Sequence, residues 1–182
     1  VSVFEAVPLR ELREIIDWTP FFQTWELAGR YPQILEDAVV GAQAKELYAD
    51  AQAMLDRIVG ENWLTAKAVA GIWPAHSLGD DVRLQSGESL RFLRQQADKP
   101  DDRANFCLAD FVAPAASNRE DWIGGFAVNA GIGIEAHLAR FEAQHDDYQS
   151  ILLKSLADRL AEACAEWLHR KLRTELWGYA AD

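Results

Sequence analysis

The 182-residue chain is 49% hydrophobic, carries seven Trp and has a formal net charge of -11. That length and apolar content suit one packed domain and exclude disorder, while the acidity argues against a polyphosphate backbone, whose binding runs on clustered Lys and Arg. No run approaches the roughly 18 apolar residues of a membrane span, and the N-terminus has no basic leader before an apolar core, so neither insertion nor export is expected. Cys107 and Cys164 lie far apart without CxxC spacing, which gives neither a disulfide framework nor a zinc site and fits a reduced, cytoplasmic setting.

Taken in chain order, PLRELREIIDW predicts a short helical turn with Pro8 at its start. In TPFFQTWELAG, Thr19 suits an N-cap, Pro20 the first helical position and Gly29 the end, predicting a helix over about 20–28. Ala44, Leu47, Tyr48, Ala51, Met54, Leu55 and Ile58 recur at three- and four-residue steps, the period of an amphipathic helix closed by Gly60. The Val-, Ile- and Gly-rich AKAVAGIWPAHSLGDDVRLQ predicts strands near 67–74 and 81–85 around a turn at SLGDD. Leu90 to Gln96 reads as helical, CLADFVAP as a turn or short strand, and DWIGGFAVNA as a strand. A helix near 134–143 then precedes the longest element, over about 146–177, with Leu152, Leu156, Leu160, Ala163, Trp167, Leu168 and Leu172 along one stripe.

Several clusters invite chemistry. GIGIEA at 131–136 formally matches GxGxxA between a strand and a helix, but no second parallel strand ending in an acid follows about 20 residues on. His145, Asp146 and Asp147, and separately Glu162, Glu166 and His169, carry ligand-type side chains without HExxH spacing; the simpler reading is a helix first turn for the aspartates and a solvated face for the glutamates. No nucleophile elbow, P-loop or Ser/His/Asp spacing is present, so no catalytic residue and no metal are assigned. Asp17, between Ile16 and Trp18 and ahead of Phe21 and Phe22, is costly to desolvate unless paired. It has two readings: a cap for the following helix, or a receptor for a ligand's amine with the aromatics as an apolar wall.

The stretch IIDWTPFFQTWELAGRYPQILED resembles the activation domain of cobalamin-dependent methionine synthase, and the resemblance continues in order through SLGDDV, LRQQ, NFCLADFVAP, FEAQHDDY, KSLADRLAEACAEWLH and LWGYA. It implies an α+β fold, a C-shaped body with long central helices and a bent antiparallel sheet. It also implies a methyltransferase module of methionine biosynthesis that binds S-adenosylmethionine and positions it for reductive methylation of cob(II)alamin. Cobalamin would sit in a neighbouring domain of the same polypeptide, flavodoxin or a related reductase would deliver the electron, and zinc would belong only to other modules. By the same resemblance Asp17 falls on the ligand-binding acid, while Arg30, Asp158 and Glu162 fall on positions suited to docking partners. The family's Arg-Pro-Ala-Pro-Gly-Tyr motif, downstream of LWGYA, is not among these residues, so 1–182 reads as a partial activation domain. A non-catalytic docking scaffold for a cobalamin domain or a flavodoxin-like protein is the alternative.

Overall fold

A computed structural model describes residues 1–99 and 103–181. The element order is β1 Ser2–Val7, α1 Leu9–Arg13, α2 Trp18–Thr24, α3 Gly41–Gly60, β2 Thr65–Leu78, β3 Asp81–Leu84, β4 Ser89–Arg91, β5 Trp122–Ile132, α4 Ile134–Ala143 and α5 Asp147–Lys171, with a π-helical turn at Leu172–Leu176. The strands join in the order β1-β2-β3-β4, β5 pairs with β2, and the β2–β3 and β3–β4 ladders are antiparallel. This is an α+β fold, as expected. Two compact units divide it: Ala70–Phe126 with Val1, and Ser2–Val69 with Ala127–Asp182.

The helical unit is built on the stripes that the periodicity predicts. On α3, Ala44, Leu47, Ala51, Met54, Leu55 and Ile58 are buried; on α5, Leu152, Leu156, Leu160, Ala163 and Leu168 are buried, together with Leu153 and Cys164. Burying apolar area on this scale, at about 25 cal/mol per Å², is the main favourable contribution to folding. Trp167 departs from its predicted place: it is only partly buried, its indole N–H donates to Glu11 Oε2 at 2.8 Å and its ring meets Phe4 edge-on. An indole at the margin of a core keeps its N–H satisfied this way. Cys164 is free and buried, and burial pushes its thiol up to about 11.

The second unit has a smaller core of Ala75, Val82, Cys107, Ala109 and Val112, with Leu84, Phe92 and Ile123 packed against it. Gly79, at φ 62°, makes the β2–β3 turn that SLGDD predicts. The helix expected over 90–96 is not formed. Instead β4 ends at Arg91, and Arg94 reaches three residues of two other segments: its guanidinium donates to Asp80 Oδ1 at 2.6 Å, to Asp110 Oδ1 at 2.7 Å and to the Asn105 carbonyl at 2.7 Å. Gln95 N–H pairs with the Phe106 carbonyl. These bonds across the unit outweigh a weak local preference for helix. Arg94 thereby ties together SLGDD, LRQQ and NFCLADF, and it holds the Asp110 carboxyl down at about 2. CLADF itself is a 3-10 turn, Leu108–Phe111, whose preceding residue Cys107 donates its N–H to Asp110 Oδ2.

Gly133, at φ 99°, starts α4, and a Cβ there would lie 3.0 Å from the Trp63 carbonyl oxygen. Close packing and a left-handed helix start explain the glycine of GIGIEA without any pyrophosphate. Trp63 is 5% exposed and stacks on His137 at 4.3 Å, with the Arg57 and Arg140 guanidinium groups 4.3 and 4.9 Å from its ring. Burial first, and Arg140 second, lower the His137 pKa below its ordinary 6.5. The folded state therefore binds fewer protons than the unfolded chain just below pH 6.5, and this contribution to stability is complete above 6.5 and lost as the pH falls below it. Thermal melts from pH 7.5 to 5.5, roughly the window in which histidine titrates, are expected to show Tm falling, with a shallower slope in His137→Gln. Parallel slopes for the two proteins would assign the pH dependence elsewhere.

Candidate functional site

Asp17 holds the N-terminus of α2. Its backbone is extended, at φ -76° and ψ 114°, and its Oδ1 accepts the Thr19 N–H at 3.0 Å. The helix therefore begins at Trp18, two residues before the predicted start, because the carboxylate rather than the Thr19 hydroxyl caps it. Pro20 sits in the third helical position, where an amide hydrogen has no intrahelical acceptor, so its missing N–H costs nothing. The Thr19 hydroxyl is used otherwise: it accepts the Tyr31 N–H at 3.2 Å. Glu26, at φ 58°, stops the helix at Thr24 instead of 28.

The residues flanking Asp17 do not form an open wall. Ile16 and Trp18 are 8% and 7% exposed, and Phe21 and Phe22 are fully buried. Phe22 stacks with Tyr31 and Tyr48, whose hydroxyls lie 3.2 Å apart, and Trp18 meets Phe21 and Tyr48 edge-on. Burial and the Tyr31 hydroxyl push Tyr48 up to about 12, so it remains a phenol at neutral pH. The aromatics thus anchor α2 to the core, and the carboxylate is what they leave exposed. Its Oδ2 makes no hydrogen bond among the described residues, so the cap and the ligand reading are compatible: one oxygen fixes the helix, and the other faces no protein donor.

Arg30 is exposed just after Gly29 and has no ion-pair partner among the described residues. Asp158 and Glu162, one helical turn apart, lie on the exposed side of α5; Asp158 accepts from Arg159 at 2.6 Å. Asp17, Arg30, Asp158 and Glu162 all belong to the helical unit. None of them lines any of five cavities of about 350 to 690 Å³ formed by the described residues. The other ligand-type clusters resolve into local structure. Asp146 caps α5 by accepting the Gln149 N–H at 3.0 Å, Asp147 begins that helix, and among the described residues no three His, Cys, Asp or Glu converge as a metal site. No helix among the described residues is long and apolar enough to cross a membrane.

The sequence did not point to the largest of these five cavities, in the Ala70–Phe126 unit, which Pro74, His76, Arg83, Gln85, Arg119 and Trp122 help to line. The alternation of β3 places Arg83 opposite buried Val82, but nothing local links it to Arg119.

Residues 8–182 match the model of the family described as vitamin B12 dependent methionine synthase, activation domain. Among solved structures, the MetH reactivation domain bound to AdoHcy aligns with a TM-score of 0.92 at 48% sequence identity, covering 100% of this chain and 58% of that one.

Proposed function

Because the chain belongs to the vitamin B12 dependent methionine synthase activation domain family, we propose that it binds S-adenosylmethionine through Asp17 and positions it for reductive methylation of cobalamin carried by a neighbouring domain of the same enzyme. The observation that carries the ligand assignment is the exposed Asp17 carboxylate, fixed through Oδ1 and unengaged at Oδ2. A free carboxylate oxygen beside a helix start is chemically matched to the ammonium of an amino-acid ligand. The relative of 48% identity binds AdoHcy, which carries the same amino-acid and adenosyl groups without the transferred methyl.

Bound there, S-adenosylmethionine supplies an electrophilic methyl group, so this chain's residues have no proton to move and act by positioning. Asp17 orients the amino end. The exposed acids Asp158 and Glu162 on α5, with Arg30, form the docking side for the cobalamin-binding domain and for flavodoxin or a related reductase. The chain spans 58% of the related structure's length, and these partners and the methyltransferase activity belong to the proposal.

Asp17→Asn tests it, because the amide keeps the shape and a carbonyl oxygen for the cap while removing the charge. Calorimetric titration with S-adenosylmethionine is expected to give a dissociation constant raised about 10- to 100-fold in the variant, the range for loss of a charge-assisted hydrogen bond. Equal affinities, or no binding by the parent chain, would overturn the assignment.

A further inference from the structure

The largest of these five cavities brings two guanidinium groups together in an acidic protein. On β2 and β3 the two-residue period turns Ala75, Ser77 and Val82 inward, and His76 and Arg83 to the other face. His76 and Arg83 are register partners, and Arg83 is also paired with Ser89 on β4. Arg83, Arg119, Gln85 and Trp122 meet around a volume of about 690 Å³. Neither the Arg83 nor the Arg119 guanidinium has an ion-pair or hydrogen-bond partner among the described residues, whereas that of Arg94 in the same unit is held by two aspartates.

Two carboxylates also line the cavity. Asp121 is occupied by backbone donors: Oδ2 accepts the Ala113 N–H at 2.7 Å and Oδ1 accepts the Trp122 N–H at 2.8 Å. Glu120, whose carboxylate makes no such bonds, is the freer of the two acids facing the two guanidinium groups. Trp122, 44% exposed, leaves an aromatic surface at the same cavity. Two unmatched arginines from separate segments suit an anion with several oxygens, since each guanidinium presents a planar fork of donors, and a bare indole suits a planar ring.

We propose that this cavity is a binding site for a phosphate monoester carried on a planar aromatic ring, as in a nucleotide, with Arg83 and Arg119 holding the phosphate and Trp122 stacking on the ring. The site lies in a different unit from Asp17 and does not depend on the ligand assigned there.

The probes are AMP, adenosine and inorganic phosphate, titrated into the 182-residue chain while the indole N–H signals are followed by NMR, with Trp122→Phe identifying the Trp122 resonance. Saturable movement of that resonance with AMP is expected, with adenosine and phosphate each binding more weakly. Arg83→Gln and Arg119→Gln are each expected to raise the AMP dissociation constant about tenfold, as for one charge-assisted contact. Glu120→Gln, which removes one of the two opposing charges, is expected to tighten binding. All three residues are exposed, so the variants leave the core intact. The absence of a saturable shift, adenosine or phosphate matching AMP, or arginine variants with unchanged affinity would each overturn the proposal.

Discussion

Phe22→Ala is expected to destabilise the protein by about 3–5 kcal/mol, the range for deleting a fully buried ring and leaving a cavity. Phe22 has no exposed surface, stacks against Tyr31 and Tyr48, and meets Phe21 edge-on at 5.5 Å, so its removal opens a hole that these three aromatic residues border. At roughly 2–4 °C per kcal/mol for a chain of this size, Tm should fall by about 6–20 °C. Phe22→Leu, which keeps most of the volume, should cost only about 1–2 kcal/mol. The comparison separates lost packing from lost aromaticity: equal losses for Ala and Leu would mean that ring stacking, not volume, dominates. Because α2 also carries Asp17 at its cap, the alanine variant is further expected to weaken S-adenosylmethionine binding at temperatures where the fold persists.

Trp63→Ala has an expected cost of similar size, about 3–5 kcal/mol, for a different set of reasons. The ring is nearly fully buried between α3 and α4, stacked on His137, flanked by Arg57 and Arg140, and close to Phe141. Its Nε1–H donates to Glu61 Oε2 at 2.7 Å, the largest cause of the lowered Glu61 pKa. Truncation therefore removes packing, one charge-assisted hydrogen bond and the cation–π contacts together. It also opens His137 to water, so the His137 pKa should rise toward its ordinary 6.5. Trp63→Phe keeps a ring under His137 but has no N–H for Glu61, and should lose clearly less stability than Trp63→Ala. Chemical denaturation of both variants, with NMR titration of His137, checks this account; an unchanged His137 pKa in Trp63→Ala would show that the indole is not what shields the imidazole.

Much of the protein is legible in its sequence. The stripes of α3 and α5 follow from residues three and four apart falling on one side of a 3.6-residue period, and that geometry is local. The same holds for the SLGDD turn, where glycine supplies a positive φ, and for the long strand in DWIGGFAVNA. The first strand, SVFEAV, was missed: six residues with one buried position carry too little alternation to stand out. Resemblance placed the chain in its family and pointed to Asp17, and no periodicity could have chosen that acid from the 29 in the chain.

What the sequence by itself determined, then, is where chain segments prefer helix, turn or strand, and which of their faces are apolar, because both depend on neighbours within a few residues. The tertiary structure decided the rest. Arg94 ended a would-be helix because its partners Asp80 and Asp110 lie 14 and 16 residues away, and strong bonds to charged groups override propensities of a few tenths of a kcal/mol. Phe21 and Phe22 went into the core instead of walling a ligand, since Tyr31 and Tyr48 arrive from other segments to cover them. Arg83 and Arg119 share a cavity only because the β2–β3 hairpin and the segment before β5 come together, a convergence set by folding and invisible along the chain.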